Sequence, residues 1–252
     1  MSIGPTIVTE GLNLSIDPAD PNCYVTGSSF AYNLADPNES GSFNNLANTF
    51  WSPTGSFWYT DSLTDRGGNS GNFIAFGVDD DTQGDATNAI TYECWTNRQG
   101  LSSDSNPRVM STDLSDYCGL YFPSNAGATN LRWIINIGGS NKTLNSVGYS
   151  SGFPIGEWFH FVGTADYNGS NSYNSYLYIN GELHSSTIGG SASGNWGDGT
   201  SRPFAVSSNV EETVQNNRGY NAFFGPVRVY SRLLTADEVK QNYNAQKSRF
   251  GH

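Results

Sequence analysis

Four aspartates fall within seven positions of this chain, at Asp79, Asp80, Asp81 and Asp85. Calcium takes roughly six to eight hard oxygens from carboxylates, carbonyls and water, so this cluster is a candidate calcium site. Asp166, just beyond Thr164, is a weaker contributor of the same kind. The spacing is not that of an EF-hand, and an acidic turn whose short side chains bond the local backbone accounts for the residues equally well. Calcium is the one cofactor the residues suggest. A second set is aromatic: Trp51, Trp58, Tyr149 and Trp196 sit in loop-like sequence, with Asp198 and Arg202 close to Trp196. Flat rings beside amides and carboxylates can stack on sugar rings and bond their hydroxyls, which makes these six residues a candidate glycan site. The competing reading is packing of the N-terminal segment or contact between subunits, where aromatics are enriched.

Catalytic groups are harder to find. Glu93, Glu157 and Glu182 are the carboxylates that stand on or beside strand-like sequence. A retaining glycosidase needs two carboxyl groups about 5 Å apart, and nothing in the spacing brings a pair together. Of the three histidines, His160, His184 and His252, His160 lies inside a strand pattern and reads as a hydrogen-bonded structural residue. No nucleophile–base pair, phosphate-cradling glycine loop or zinc spacing is present. The chain therefore reads as a non-enzyme.

The elements that must position these residues are strands. The segment from Glu157 to Leu183 holds two aromatic-rich runs, the second ending in Asn180-Gly181. Asn-Gly between alternating residues is the strongest short hairpin signal, because both accept the positive φ of a type I′ turn. Leu177 and Ile179 fall on one face of that strand, and Tyr176 and Tyr178 on the other. Trp158–Val162 is apolar except at His160, the pattern of a strand covered on both sides. From residue 73 onward further strands are predicted at Phe73–Phe76, Ile90–Thr96, Arg108–Ser111, Gly119–Phe122, Arg132–Ile137, Thr143–Val147, Phe204–Ser207 and Ala222–Tyr230. Many short strands separated by Gly, Asn, Ser and Asp mean a sandwich or jelly roll. One helix is expected, from Ala236 to Gln246. Thr235 and Glu238 form a Thr-x-x-Glu capping box, and Leu234 and Val239 a hydrophobic staple. Residues 1–70 are rich in turn formers but carry the alternating Leu12, Leu14 and Ile16 and the aromatics Phe50, Trp51, Phe57, Trp58 and Tyr59. They are expected to form an extension packed on, or reaching from, a main domain of residues 71–252.

Composition narrows the class. The chain is 36% hydrophobic and 13% aromatic but only 14% charged, against about 25% charged in a typical soluble domain. The net charge of −11 comes without any run of Lys or Arg, which argues against binding nucleic acid or an anionic membrane. Three cysteines, Cys23, Cys94 and Cys118, are an odd number without metal spacing, so they read as reduced, buried thiols, with one disulfide plus a free thiol as the alternative. The N-terminus shows no signal peptide, and no apolar stretch is long enough to span a bilayer. Synthesis in the cytoplasm without export is the expectation.

Several motifs, in order, resemble the laminin-G-like, concanavalin A-like lectin/glucanase jelly roll, in the form found in tailed-phage structural proteins. Phe76-Gly77-Val78-Asp79-Asp80 is similar to its opening strand and turn, and Ile90-Thr91-Tyr92-Glu93-Cys94-Trp95 to the next strand. Glu157–Val162 followed by Tyr176–Gly181 resembles the central hairpin. Phe224–Tyr230, the capped helix and Asn242-Tyr243-Asn244 resemble the closing strand and terminal helix. Gly11–Tyr24 is similar to the leader that precedes this domain in phage proteins. The chain departs from the pattern at Phe204–Ser208 and at the third aspartate of Asp79-Asp80-Asp81, and it lacks the Glu-x-Asp-x-x-Glu spacing of glucanases on this fold.

The resemblance implies an all-β sandwich of two antiparallel sheets with one short C-terminal helix. It also implies a virion protein, assembled in the host cytoplasm and displayed as a capsid decoration or a tail or fibre subunit. Its partners would be other virion proteins and further copies of itself in a homo-oligomer, with host-surface glycan as a further candidate. The alternative is a free, lectin-like glycan-binding module.

Overall fold

The computed structural model describes residues 6–25, 27–44, 50–51, 57–60, 73–78, 88–100, 106–112, 118–123, 130–146, 152–196, 203–208 and 219–252. Two antiparallel sheets of eight strands each face one another. The strands are β1 (Leu12–Ile16), β2 (Phe30–Tyr32), β3 (Ser40–Asn44), β4 (Phe50–Trp51), β5 (Trp58–Thr60), β6 (Phe73–Val78), β7 (Ala89–Arg98) and β8 (Arg108–Ser111). They continue as β9 (Gly119–Tyr121), β10 (Arg132–Ile137), β11 (Ser140–Asn145), β12 (Trp158–Tyr167), β13 (Ser172–Ile179), β14 (Glu182–Ser191), β15 (Pro203–Val206) and β16 (Ala222–Tyr230). Sheet one runs β14-β13-β12-β7-β16-β5-β4, with β1 also on β16; sheet two runs β11-β10-β9-β8-β15-β6-β3-β2. The expected all-β sandwich is therefore the fold.

Alternation along the central strands decides what lies between the sheets. On β7, Tyr92 and Cys94 face inward; on β12, Phe159, Phe161 and Ala165; on β16, Val227 and Val229. Sheet two contributes Ile74, Phe76, Leu120, Trp133, Ile135 and Phe204 to the same core. The sheets approach closely at Gly163, where an added Cβ would stand 2.3 Å from the Trp133 ring. Glycine there makes room for the indole. Cys23, Cys94 and Cys118 are buried free thiols within this packing.

The β13–β14 hairpin turns on Asn180 (φ 52°) and Gly181 (φ 75°), both in the left-handed region a type I′ turn requires. The helix α1 spans Ala236–Gln246, and Thr235 and Glu238 close the reciprocal capping box. A 3-10 turn, Lys247–Phe250, follows it. Val239 and Leu234 pack with Val162, Tyr178 and Tyr230, so the helix covers the outer face of sheet one.

The N-terminal segment differs from the expected packed layer. Its described strands are members of both sheets: β1 and β5 pair with β16, and β3 pairs with β6 and carries β2 at the sheet edge. Strands β1, β3 and β5 need hydrogen-bond partners that lie beyond residue 70, so the boundary at 70/71 does not divide the sandwich.

Candidate functional site

The outer face of sheet one, beneath α1, holds the most concentrated polar chemistry among the described residues. Three central strands each place one ionisable group there, flanked by core-facing neighbours: Glu93 on β7, His160 on β12 and Arg228 on β16. Glu93 and Arg228 are direct cross-strand partners. Arg228 Nη1 donates to Glu93 Oε1 at 2.8 Å, and His160 Nε2 lies 3.1 Å from the same oxygen. Asn242, from the helix, donates to Glu93 Oε2 at 2.6 Å and to the Tyr230 hydroxyl oxygen at 2.9 Å. The N-terminal chain is tied in by the Val8 N–H, which donates to Asn242 Oδ1 at 2.7 Å, and by the Tyr230 hydroxyl, which donates to the Val8 carbonyl at 3.2 Å.

Glu93, His160 and Asn242 have no solvent exposure, and Arg228 almost none. Burial alone would raise the Glu93 pKa. The Arg228 charge, with hydrogen bonds from His160 and Asn242, outweighs it and lowers the carboxyl to about 2. An ionised carboxylate only accepts, which assigns the His160 proton to Nε2. Beside this cluster, on the same face of β7, Trp95 stacks with Phe250, 4.3 Å away, and with Tyr243, 5.7 Å away. Sealed from water and already bonded, the cluster clasps the helix and the N-terminal strand to the sheet. It has no room to present a carboxyl group to a substrate. Glu157 is exposed beside a cleft of about 300 Å³ formed with Trp158, Phe250 and His252. Glu182 is exposed and held by Lys240 of the helix, which lowers its pKa.

The aromatic candidates are dispersed. Trp58 is fully buried and makes edge-on contacts with Tyr24 and Phe43 at 5.9 and 5.4 Å. Trp196 is also in the core, and its backbone bridges to Ile137. Neither ring offers a face for a sugar to stack on, which corrects the expectation that they do: both lie where the sandwich needs bulk between its sheets. Trp51 enters as the strand partner of Trp58, and its side chain lies outside the described residues. So do Tyr149, Asp198 and Arg202, and the acidic cluster Asp79, Asp80, Asp81 and Asp85. Asp166 accepts from Asn174 Nδ2 at 2.8 Å.

Among the described residues, the exposed aromatic surface is elsewhere, on the edge strand β2 and its flanks. Phe30 is 46% exposed and Tyr32 44%, with Val25 and Leu34 also exposed. Ala31 between the two rings is buried, so Phe30 and Tyr32 share the outward face. Tyr32 walls a cleft of about 510 Å³ whose other sides are Asn22, Asn33, Leu34 and Pro37. Asn33 accepts from the Ser15 and Ala35 N–H groups and donates to the Asn13 carbonyl and Glu39, which fixes the floor. The sequence signal for this ledge was weak: Phe-Ala-Tyr, a three-residue alternation among turn formers.

Over residues 67–240 the chain matches the family described as the Concanavalin A-like lectin/glucanases superfamily. No curated protein sequence matches it. Among solved structures it is similar to the botulinum neurotoxin serotype D binding domain, with 15% identity and a TM-score of 0.62 over 94% of this chain and 52% of that one. The receptor binding domain of the botulinum neurotoxin C/D mosaic serotype gives 15% identity and a TM-score of 0.62, over 94% and 51%. The binding domain of Paraclostridial Mosquitocidal Protein 1 gives 14% and 0.60, over 93% and 52%. The chain thus spans about half the length of the structures it matches, and at these identities the likeness is one of fold.

Proposed function

The chain belongs to the concanavalin A-like lectin/glucanases superfamily, and on that premise we propose that it is a non-enzymatic structural protein of a phage virion. It is displayed on the particle as a capsid decoration or a tail or fibre subunit and works by contact. The observation that carries the contact role is the ledge of Phe30, Tyr32, Val25 and Leu34, gathered at one sheet edge outside a sealed core. Exposed aromatics at an edge strand are the material of protein interfaces. The clasped, solvent-free state of Glu93 supports the non-enzymatic reading, and the phage setting is supported by the order of motifs from Gly11 to Asn244. Homo-oligomerisation belongs to the proposal, since particles repeat one contact many times. A stable interface of this kind buries about 2,000 Å² or more.

The test is incorporation of the Phe30→Asp, Tyr32→Asp double variant into particles, with folding verified by circular dichroism. Loss of incorporation from a folded variant supports the reading, and normal incorporation overturns the ledge as the contact. Calcium at Asp79, Asp80, Asp81 and Asp85 stays part of the proposal. A melting temperature raised by calcium and insensitive to it after Asp80→Asn supports it; no response to calcium in the native chain removes it. Trp51, Tyr149, Asp198 and Arg202 likewise remain proposed glycan contacts.

A second reading, a free glycan-binding module, is favoured by the Tyr32 cleft, where an exposed ring stands beside amides and a proline. Binding of the isolated chain on a glycan array, lost on Tyr32→Ala, would select it over the purely structural role.

A further inference from the structure

Seven large apolar side chains are exposed among the described residues, and six of them fall on two patches. Four form the ledge: Val25, Phe30, Tyr32 and Leu34. Two, Leu183 and Ile188, stand on β14, the edge strand of sheet one. The seventh, Ile155, lies in the turn before β12. Leu183 is the cross-strand partner of Tyr178, which packs under α1, so it stands on the helix-bearing face of the sheet. Ser186 pairs with Tyr176 on that face, and Ile188, two residues on, shares it. The helix therefore covers part of this face and leaves its β14 margin open.

The two patches differ in charge. Residues 1–65 contain no Lys or Arg, so the chain that builds the ledge is purely acidic. Asp36 sits between Leu34 and Pro37 of the cleft wall, Asp20 accepts from Asn22, and Glu39 accepts from Asn33. Residues 239–252 contain Lys240, Lys247 and Arg249 and no Asp or Glu. The Lys240 and Lys247 ammonium groups lie 5.6 and 5.7 Å from the centre of the Tyr243 ring. That ring lies against the hairpin tip at Gly181, two residues from Leu183. Glu182 pairs with Lys240, and no carboxylate among the described residues pairs with Lys247. The patches also lie on opposite flanks of the sandwich: β2 and β11 are the two edges of sheet two, and β11 touches β13 and β14.

We infer that the ledge of one copy docks on the β14 patch of the next, in a head-to-tail contact between copies of this chain. This rests on the reading of the ledge as a contact surface and names what the ledge meets. Two ledges face to face would set Asp20, Asp36 and Glu39 against their own counterparts, and like charges juxtaposed at an interface disfavour the match. The ledge against β14 sets those carboxylates toward Lys247 and covers both exposed apolar patches at once. The two faces are unlike and lie on opposite flanks. One contact therefore leaves a free ledge at one end and a free β14 patch at the other. Such an assembly grows as a filament or until rotation closes a ring.

The test uses two variants of the full chain, each with its fold checked by circular dichroism. Phe30→Asp with Tyr32→Asp spoils the ledge, and Leu183→Asp with Ile188→Asp spoils the β14 patch. Sedimentation velocity over a concentration series reads the outcome. The native chain forms species larger than a dimer. Each variant alone is monomeric, its self-association weakened at least about thirtyfold, as for one lost hot spot. An equal mixture of the two forms a 1:1 dimer and nothing larger, because the intact ledge of one meets the intact patch of the other. Raising the salt from about 0.05 to about 0.5 M screens the rim charges and weakens the native assembly. A monomeric native chain, a mixture that stays monomeric, self-association by either variant alone, or an assembly indifferent to salt overturns the inference. Val25→Asp and Ile188→Asp, at positions 64% and 74% exposed, repeat the mixing where a double variant fails to fold. Particle incorporation separates this contact from the docking role. A head-to-tail contact excludes both variants from particles. Exclusion of the ledge variant alone means that the ledge meets another protein, which overturns the inference and leaves the docking role standing. A ledge variant that enters particles normally removes both.

Discussion

Replacing Glu93 by glutamine keeps the shape of the side chain and removes its charge. The Arg228 guanidinium, 2.8 Å away and nearly without exposure, is then a buried cation without a counter-ion. Asn242 Nδ2, which donates to Oε2, meets an acceptor or a second amine depending on how the new amide turns. If the amide oxygen turns toward Arg228, its nitrogen faces Asn242; if it turns toward Asn242, its nitrogen faces Arg228. Neither orientation satisfies both, so the variant loses a charge pair and at least one charge-assisted bond. Breaking a buried pair from one side costs about 3–5 kcal/mol. In a domain of this size each kcal/mol is worth about 2–4 °C, so the melting temperature falls by about 6–20 °C. Thermal and urea unfolding followed by tryptophan fluorescence reads the change, and Trp95 in its stack over the sheet is a direct reporter. The double variant with Arg228→Met removes the stranded cation. It is less destabilised than the two single variants added together, with a coupling of about 1 kcal/mol or more. A Glu93→Gln protein within about 0.5 kcal/mol of the native one, or strict additivity in the cycle, refutes the clasp. Polysaccharide turnover by the native chain that this substitution abolishes would restore a catalytic role to Glu93.

The Glu93 carboxyl is held at about 2 against an ordinary 4.5. Its stabilisation, about 3 kcal/mol at most, is therefore complete above pH 4.5 and is lost as the pH falls toward 2. Glu238, whose pKa Arg232 also lowers to about 2, titrates in the same window and the same direction. Acid unfolding begun well above pH 5 would contradict this. Gly181→Ala places a Cβ at positive φ, 3.0 Å from Tyr243, and destabilises the chain by about 1 kcal/mol or more in chemical denaturation. An unchanged midpoint would show that the hairpin tip does not press on the helix. Native Cys23, Cys94 and Cys118 resist a thiol reagent at pH 7.5 and all react in denaturant, since burial pushes Cys23 up to about 12 and Cys94 well above its usual value. Prompt labelling of any of them in the native chain would place it at the surface.

Much of the sandwich was legible in local pattern. Alternation at Trp158–Tyr167 and Ala222–Tyr230, Asn-Gly at the hairpin and the Thr235–Glu238 box each act over a few residues, and each forms as the sequence indicates. Strands β2 and β3 were not legible. Ser-Gly-Ser-Phe-Asn has little β propensity, and β3 is a strand because β6 supplies its ladder from a distant part of the chain. The clasp escaped for the same reason. Glu93, His160, Arg228 and Asn242 are far apart in sequence, and only strand order brings them together. A signal was nonetheless present: a single ionisable residue between apolar neighbours at the middle of three strands, Tyr92-Glu93-Cys94, Phe159-His160-Phe161 and Val227-Arg228-Val229. Charges so placed need one another. Two of the aromatic candidates misled in the opposite way. Trp58 and Trp196 stand near turn formers, but the volume between two sheets claimed their rings.

Imaging of purified particles at subnanometre resolution, with this chain labelled, tests the contact role most directly. Regular density for the sandwich on the particle surface is expected, with the Phe30 and Tyr32 edge against a neighbouring subunit. Intact particles without the chain, or a sandwich seated there with that edge open to solvent, would contradict it.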